Sequence, residues 1–92
     1  MIKKYDEAIV ENFLENKLVG SRYSDLKALE EHLNTITEEE VTLHEKEPIN
    51  EDMDYECGCG IKMIKREWWL TIYYIFTRNG MVYITEIIVE SN

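Results

Sequence analysis

Bases are scarce in this chain. Of 92 residues, ten are Lys or Arg and nineteen are Asp or Glu, a formal charge of −9. A field of that sign repels phosphate backbones and attracts basic surfaces, which argues against direct contact with DNA or RNA. Cysteine is nearly missing: Cys57 and Cys59 stand one residue apart and cannot make a disulfide framework. No apolar run reaches membrane-spanning length; the longest, around 68–76, is interrupted by Thr71 and by tyrosines and reads as a strand. Residues 1–13 carry Lys3 and Lys4 but neither the apolar segment nor the cleavage site of a secretory leader, so a cytoplasmic location is expected. There are two histidines, His32 and His44, and no glycine-rich phosphate loop, since Gly58 and Gly60 do not lead into a helical pattern.

What is present is a folded composition, 45% apolar and 32% charged, at a length that suits one domain over residues 1–92. Its strongest signal is Asn79-Gly80 between two β-rich runs, WWLTIYYIFT and MVYITEIIVE. A type I′ turn needs positive φ at both central residues, which this dipeptide tolerates. The expected hairpin, 68–78/81–90, pairs Arg78 with Met81, Phe76 with Tyr83, Tyr74 with Thr85, Ile72 with Ile87 and Leu70 with Val89 on an apolar core face. The second face carries Trp69, Tyr73, Ile75, Ile84 and Ile88 among polar residues. It is either covered by the remaining chain or left for a partner.

Upstream, residues 4–18 read as a helix with Tyr5, Ile9 and Phe13 as its buried stripe, widened by Val10 and Leu14, and Gly20 as its stop. Ser24 reads as the N-cap of a second helix whose stripe is Leu26, Leu29 and Leu33. Over 35–48 two patterns compete. Thr37-Glu38-Glu39-Glu40 matches a capping box, whereas Val41 and Leu43 alternate as in a strand, and the strand is favoured. Residues 49–60 read as an acidic connector ending in a glycine-rich turn. Residues 61–66 alternate and read as a strand, which could run on to Thr77 as one long strand bulged near Arg66-Glu67. The expected fold is α+β: an N-terminal helical hairpin packed on a three- or four-stranded antiparallel sheet.

Chemistry is thin. Cys57 and Cys59 with His32 and His44 could supply a Cys₂His₂ metal set, but the ligand spacing of zinc modules is absent, and neighbouring Asp54 and Glu56 oppose a reactive thiolate. Asn50, Asp52, Asp54 and Glu56 alternate oxygen ligands as in a calcium loop, yet Tyr55 stands where glycine is needed and Ile61 where a bidentate Glu belongs. His32, on a helix flank, and His44 are both expected to face outward, with no nucleophile implied beside either. No catalytic residues, metal or cofactor are assigned, and the chain is expected not to be an enzyme.

The charge distribution says more. Residues 30–56 hold eleven acids and a single base, Lys46. Carboxylates spaced on a rigid frame can imitate a phosphate backbone. In size and charge alone, with no shared motif, the chain resembles the small acidic inhibitors of phages and mobile elements, the DNA mimics and anti-CRISPR proteins. The expected function is a non-enzymatic protein-interaction module that occupies the basic surface of a nucleic-acid-binding protein. Its contact residues would be Glu38, Glu39, Glu40, Glu45, Glu47, Glu51, Asp52, Asp54 and Glu56, with Trp69 and Tyr73 as aromatic anchors. The alternatives are a homodimer or larger structural homo-oligomer, joined through the second hairpin face or the last strand's edge, and a metal or redox protein centred on Cys57 and Cys59.

Overall fold

A computed structural model of the chain describes residues 2–48 and 53–91. The fold is α+β: two helices lie against a five-stranded antiparallel sheet. The elements run α1 (Ile2–Leu18), β1 (Arg22–Tyr23), α2 (Leu26–Ile36), β2 (His44–Lys46), β3 (Tyr55–Met63), β4 (Arg66–Phe76) and β5 (Val82–Ser91), with sheet order β1-β5-β4-β3-β2. Among the described residues, no helix is long and apolar enough to cross a membrane.

Helix α1 is held by Val10, Leu14 and Leu18, all fully buried. Three such aliphatics contribute about 1.5–3 kcal/mol each, more than helix propensity supplies. The stripe expected at Tyr5, Ile9 and Phe13 instead faces outward, with these residues 69%, 41% and 39% exposed. Both stripes repeat every four residues, so spacing alone cannot choose between them. The helix begins at Ile2 and not at residue 4. It ends as expected near Gly20, whose φ is +86° and whose N–H donates to the Ile84 carbonyl at 2.9 Å. The two helices are therefore not joined by a plain link: Arg22 and Tyr23 form an edge strand on Tyr83 and Val82. Asp25, not Ser24, caps α2, accepting from the Ala28 N–H at 2.8 Å. Leu29 and Leu33 are buried as expected.

After α2, Thr37 closes the helix rather than opening a new one. Val41 is buried and Leu43 half-buried, both turned inward as expected, but neither belongs to a strand. Their N–H groups go to α2 side chains instead of a ladder: Val41 to Asn34 Oδ1 at 2.7 Å and Leu43 to Glu30 Oε2 at 2.9 Å. The strand begins only at His44.

The largest departure from expectation lies in β3. Cys57-Gly58-Cys59-Gly60 is not a turn but the middle of a nine-residue strand paired to β2 and β4. Nor is 61–77 one bulged strand. The chain reverses at Ile64 and Lys65, both at positive φ (53° and 59°), with Met63 opposite Arg66. This is the two-residue geometry expected at Asn79-Gly80. There, only Gly80 has positive φ, and the loop is three residues long. Thr77 O accepts from Gly80 N–H at 2.8 Å, and Thr77 N–H donates to Met81 O at 2.8 Å.

Along β4 and β5 the far half pairs as expected, Leu70 with Val89 and Ile72 with Ile87. Thr85 is an extra residue in β5, and beyond it the register shifts, so that Tyr74 faces Ile84 and Phe76 faces Val82. The bulge turns Val82 and Ile84 into the core, where they are buried, and Tyr83 away from it. One hydrophobic cluster results, joining the helix leucines to Cys57, Cys59, Ile61, Trp68, Leu70, Ile72, Tyr74, Val82, Ile84, Ile87 and Val89.

A β-branched residue with a left-handed backbone is an outlier, costing about 1–2 kcal/mol for an L residue. Replacing Ile64-Lys65 with Asn-Gly should therefore stabilise the fold by about 1–2 kcal/mol. Thermal unfolding followed by circular dichroism should show a rise of roughly 4–8 °C per kcal/mol; an unchanged or lowered midpoint would contradict the strain.

Candidate protein interface

The sheet has two unlike faces. Both helices cover the first. The second, carrying Glu56, Gly58, Trp69, Thr71, Tyr73, Glu86, Ile88 and Glu90 by alternation, is covered by no described helix. Its rows follow from the register. Glu56 of β3, Tyr73 of β4 and Glu86 of β5 stand side by side, with Lys46 of β2 opposite Glu56. Gly60, Trp69 and Glu90 form a parallel row.

Between these rows, Gly58 sets the position of Trp69. A Cβ at Gly58 would lie 2.6 Å from Trp69 Cζ2 and 3.1 Å from its Nε1, so the indole occupies the space a side chain would take. His44, directly opposite Gly58 on β2, lies near-parallel to the indole at 6.3 Å between ring centres. His44 thus faces outward as expected. His32 does not: its Nδ1 is 2.6 Å from the Tyr23 hydroxyl, and it is half-buried.

Tyr73 sits among carboxylates. Partial burial, followed by the charges of Glu56, Glu86 and Glu90, raises its phenol above the ordinary value. Among the described residues only two ion pairs form, Lys62 with Glu39 and Arg66 with Asp6, so none of these three glutamates is paired. Beside them Asp54 Oδ2 accepts from the Thr85 hydroxyl at 2.7 Å, anchoring the start of β3 to the bulge.

The other expected contact residues fall elsewhere. Glu38 and Glu39 brace the β3–β4 turn: Glu38 Oε1 accepts from the Lys65 N–H at 3.3 Å, and Glu39 pairs with Lys62 at 3.6 Å. Glu40 is exposed beside them. Glu45 and Glu47 are exposed at the β2 edge, and Glu45 lines an open groove of about 300 Å³ with Leu26, Lys27, Glu30 and Leu43. Glu51 and Asp52, with Asn50 of the calcium-like pattern, lie outside the described residues. The structure therefore brings Asp54, Glu56, Trp69 and Tyr73 to one face, and adds Glu86 and Glu90. Sequence reasoning did not count those last two as contacts, because they lie outside the dense acidic run.

The cysteine set does not assemble. Cys57 and Cys59 point into the core, fully buried, whereas His44 stands on the opposite face. Burial pushes both thiols up from 9.0 to about 12, with further contributions from Cys59, Glu45 and Glu56 at Cys57 and from Glu30 at Cys59. No group of three or more His, Cys, Asp or Glu residues suited to a metal is found among the described residues. No family model, curated protein or solved structure matches this chain.

Two predictions follow from the interior and the surface of β3. Gly58→Ala should push Trp69 off the sheet and cost about 1–3 kcal/mol, as overpacking does. Gly60→Ala, whose Cβ meets nothing within 4 Å, should be neutral or stabilising by up to about 1 kcal/mol. Chemical denaturation and tryptophan emission would show the contrast, and equal effects at both sites would refute the interlock. The second concerns pH. Thiols of the unfolded chain ionise near 9.0, whereas those of the folded chain stay protonated up to about 12. Their contribution to stability is complete below pH 9 and is lost as the pH rises toward 12, at about 1.4 kcal/mol per pH unit for each thiol. Denaturant titrations from pH 8 to 11 should show this slope, and Cys57→Ala with Cys59→Ala should reduce it. A slope that the double variant leaves unchanged would contradict the assignment.

Proposed function

We propose that the chain is a non-enzymatic protein-interaction module that docks on a basic, nucleic-acid-binding surface through the uncovered sheet face. The observation that carries this reading is the composition of that face: two half-buried aromatics, Trp69 and Tyr73, set among Glu56, Glu86 and Glu90, none of which is ion-paired among the described residues. Tryptophan and tyrosine are enriched among interaction hot spots, and a polar rim surrounds them. The net charge of −9 favours encounter with a basic partner. Glu38 and Glu39 are poor reporters of such binding, since both hold the β3–β4 turn.

The test uses immobilised chain and nucleic-acid-binding proteins enriched on heparin from the source cell. Retention is expected at low salt, with release by duplex DNA or by roughly 0.5 M salt, where the screening length falls to a few ångströms. Glu56→Gln with Glu86→Gln and Glu90→Gln should weaken retention by roughly tenfold or more. Retention indifferent to salt and to the triple change would remove the electrostatic basis.

A second reading, self-association along β5, has one observation in its favour: β1 pairs only with Val82 and Tyr83 of that ten-residue strand. Against it, the Glu11 carboxylate already reaches the Val89 N–H at 3.5 Å, and two copies would bring together strands that each carry Glu86 and Glu90. Light scattering at high concentration separates the two readings.

A further inference from the structure

The geometry points to arginine as the residue this face receives: the guanidinium of an arginine on a basic protein segment would stack on Tyr73 and pair with the glutamates flanking it. This rests on the reading of the face as a docking surface and gives its partner a chemistry.

Three observations support it. First, the row Glu56, Tyr73, Glu86 is set by strand register. Directly opposed residues in an antiparallel sheet stand about 4.5–5.5 Å apart, so a cation over the ring lies within reach of carboxylates on both sides. Second, the chain stacks its own guanidinium groups on rings, once with a carboxylate closing the contact. Arg66 lies 5.0 Å over the Trp68 ring while its guanidinium bonds Asp6 Oδ2 at 3.0 Å. Arg22 lies 5.2 Å over Tyr83. No cation stands over Tyr73 or Trp69 among the described residues, and Lys46, opposite Glu56, makes no ion pair with it. Third, arginine fits better than lysine. A planar, weakly hydrated guanidinium can stack on a ring and fork onto carboxylates at once, whereas an ammonium is compact and strongly hydrated. Half-buried Ile88 and exposed Ile75 on the same face offer apolar surface to the arginine stem.

The experiment titrates the full chain with nona-arginine and nona-lysine peptides of equal charge by calorimetry at roughly 0.1 M salt. Nona-arginine should bind about tenfold tighter. Tyr73→Leu should abolish the preference, and Tyr73→Phe, which keeps the ring, should retain it. Glu56→Gln with Glu86→Gln should weaken binding of both peptides. Glu15→Gln with Glu31→Gln, an equal charge change on exposed helix positions, should leave the preference intact. Equal affinity for the two peptides, or a preference that survives Tyr73→Leu, overturns the arginine assignment. In that event the docking reading still stands if the Glu56 and Glu86 changes weaken binding. Failure of both peptides to bind overturns the two together.

Discussion

The sheet depends on a substitution of one residue's volume by another's. Gly58 has no side chain, and the Trp69 indole lies where one would be. Without that exchange, a strand reading Cys-Gly-Cys-Gly would be a poor interior strand, since glycine weakens a strand and leaves its face unpacked. With it, the alternation of β3 becomes useful. Cys57 and Cys59 point inward and pack as small apolar groups, while the glycines point outward and let a neighbouring aromatic lie close to the backbone. The same aromatic then carries the character of the exposed face.

This explains why β3 was unreadable in sequence. Glycine is ordinarily a turn signal, and Cys57-Gly58-Cys59-Gly60 follows an acidic stretch, so local chemistry argued for a loop. The information that makes it a strand sits eleven residues away, at Trp69. The two reversals misled in a related way. Asn79-Gly80 can adopt a two-residue turn, but Thr77 closes a three-residue loop with both its hydroxyl and its backbone, and the bulge at Thr85 restores the core register. The tight turn falls on Ile64-Lys65, residues that no propensity argument would choose. It is held by long-range contacts from Glu38 and Glu39. What sequence did reveal was the α+β class, α2 with Leu29 and Leu33 inside, the inward turn of Val41 and Leu43, and the far half of the last hairpin. Each of these depends on residues near one another in the chain.

The carboxylates divide by what they hold. Asp6, Glu11, Asp25, Glu30, Glu38, Glu39 and Asp54 each accept a hydrogen bond or pair with a cation within the fold. Charge density along the sequence could not separate these from Glu56, Glu86 and Glu90, which hold nothing described. The separation matters, because changing a carboxylate that holds a cap or a turn alters the fold as well as the field a partner meets. The dense run at 38–40 marked the candidate surface less well than two glutamates in the last strand, which lie far from that run and meet Tyr73 and Trp69 only through strand pairing.

Placing glutamates on both sides of Tyr73 is unfavourable for the isolated fold. Charges of one sign gathered on neighbouring strands repel, and Lys46, opposite Glu56, makes no ion pair with them among the described residues. On the docking reading, the repulsion has a use. A partner's cations relieve it, so part of the binding free energy is repulsion released and not new contact. That term grows with the number of unpaired glutamates and shrinks with salt, whereas the aromatic term does neither. The two can therefore be separated by ionic strength, with the carboxylates governing encounter and Trp69 and Tyr73 governing residence once the partner is down.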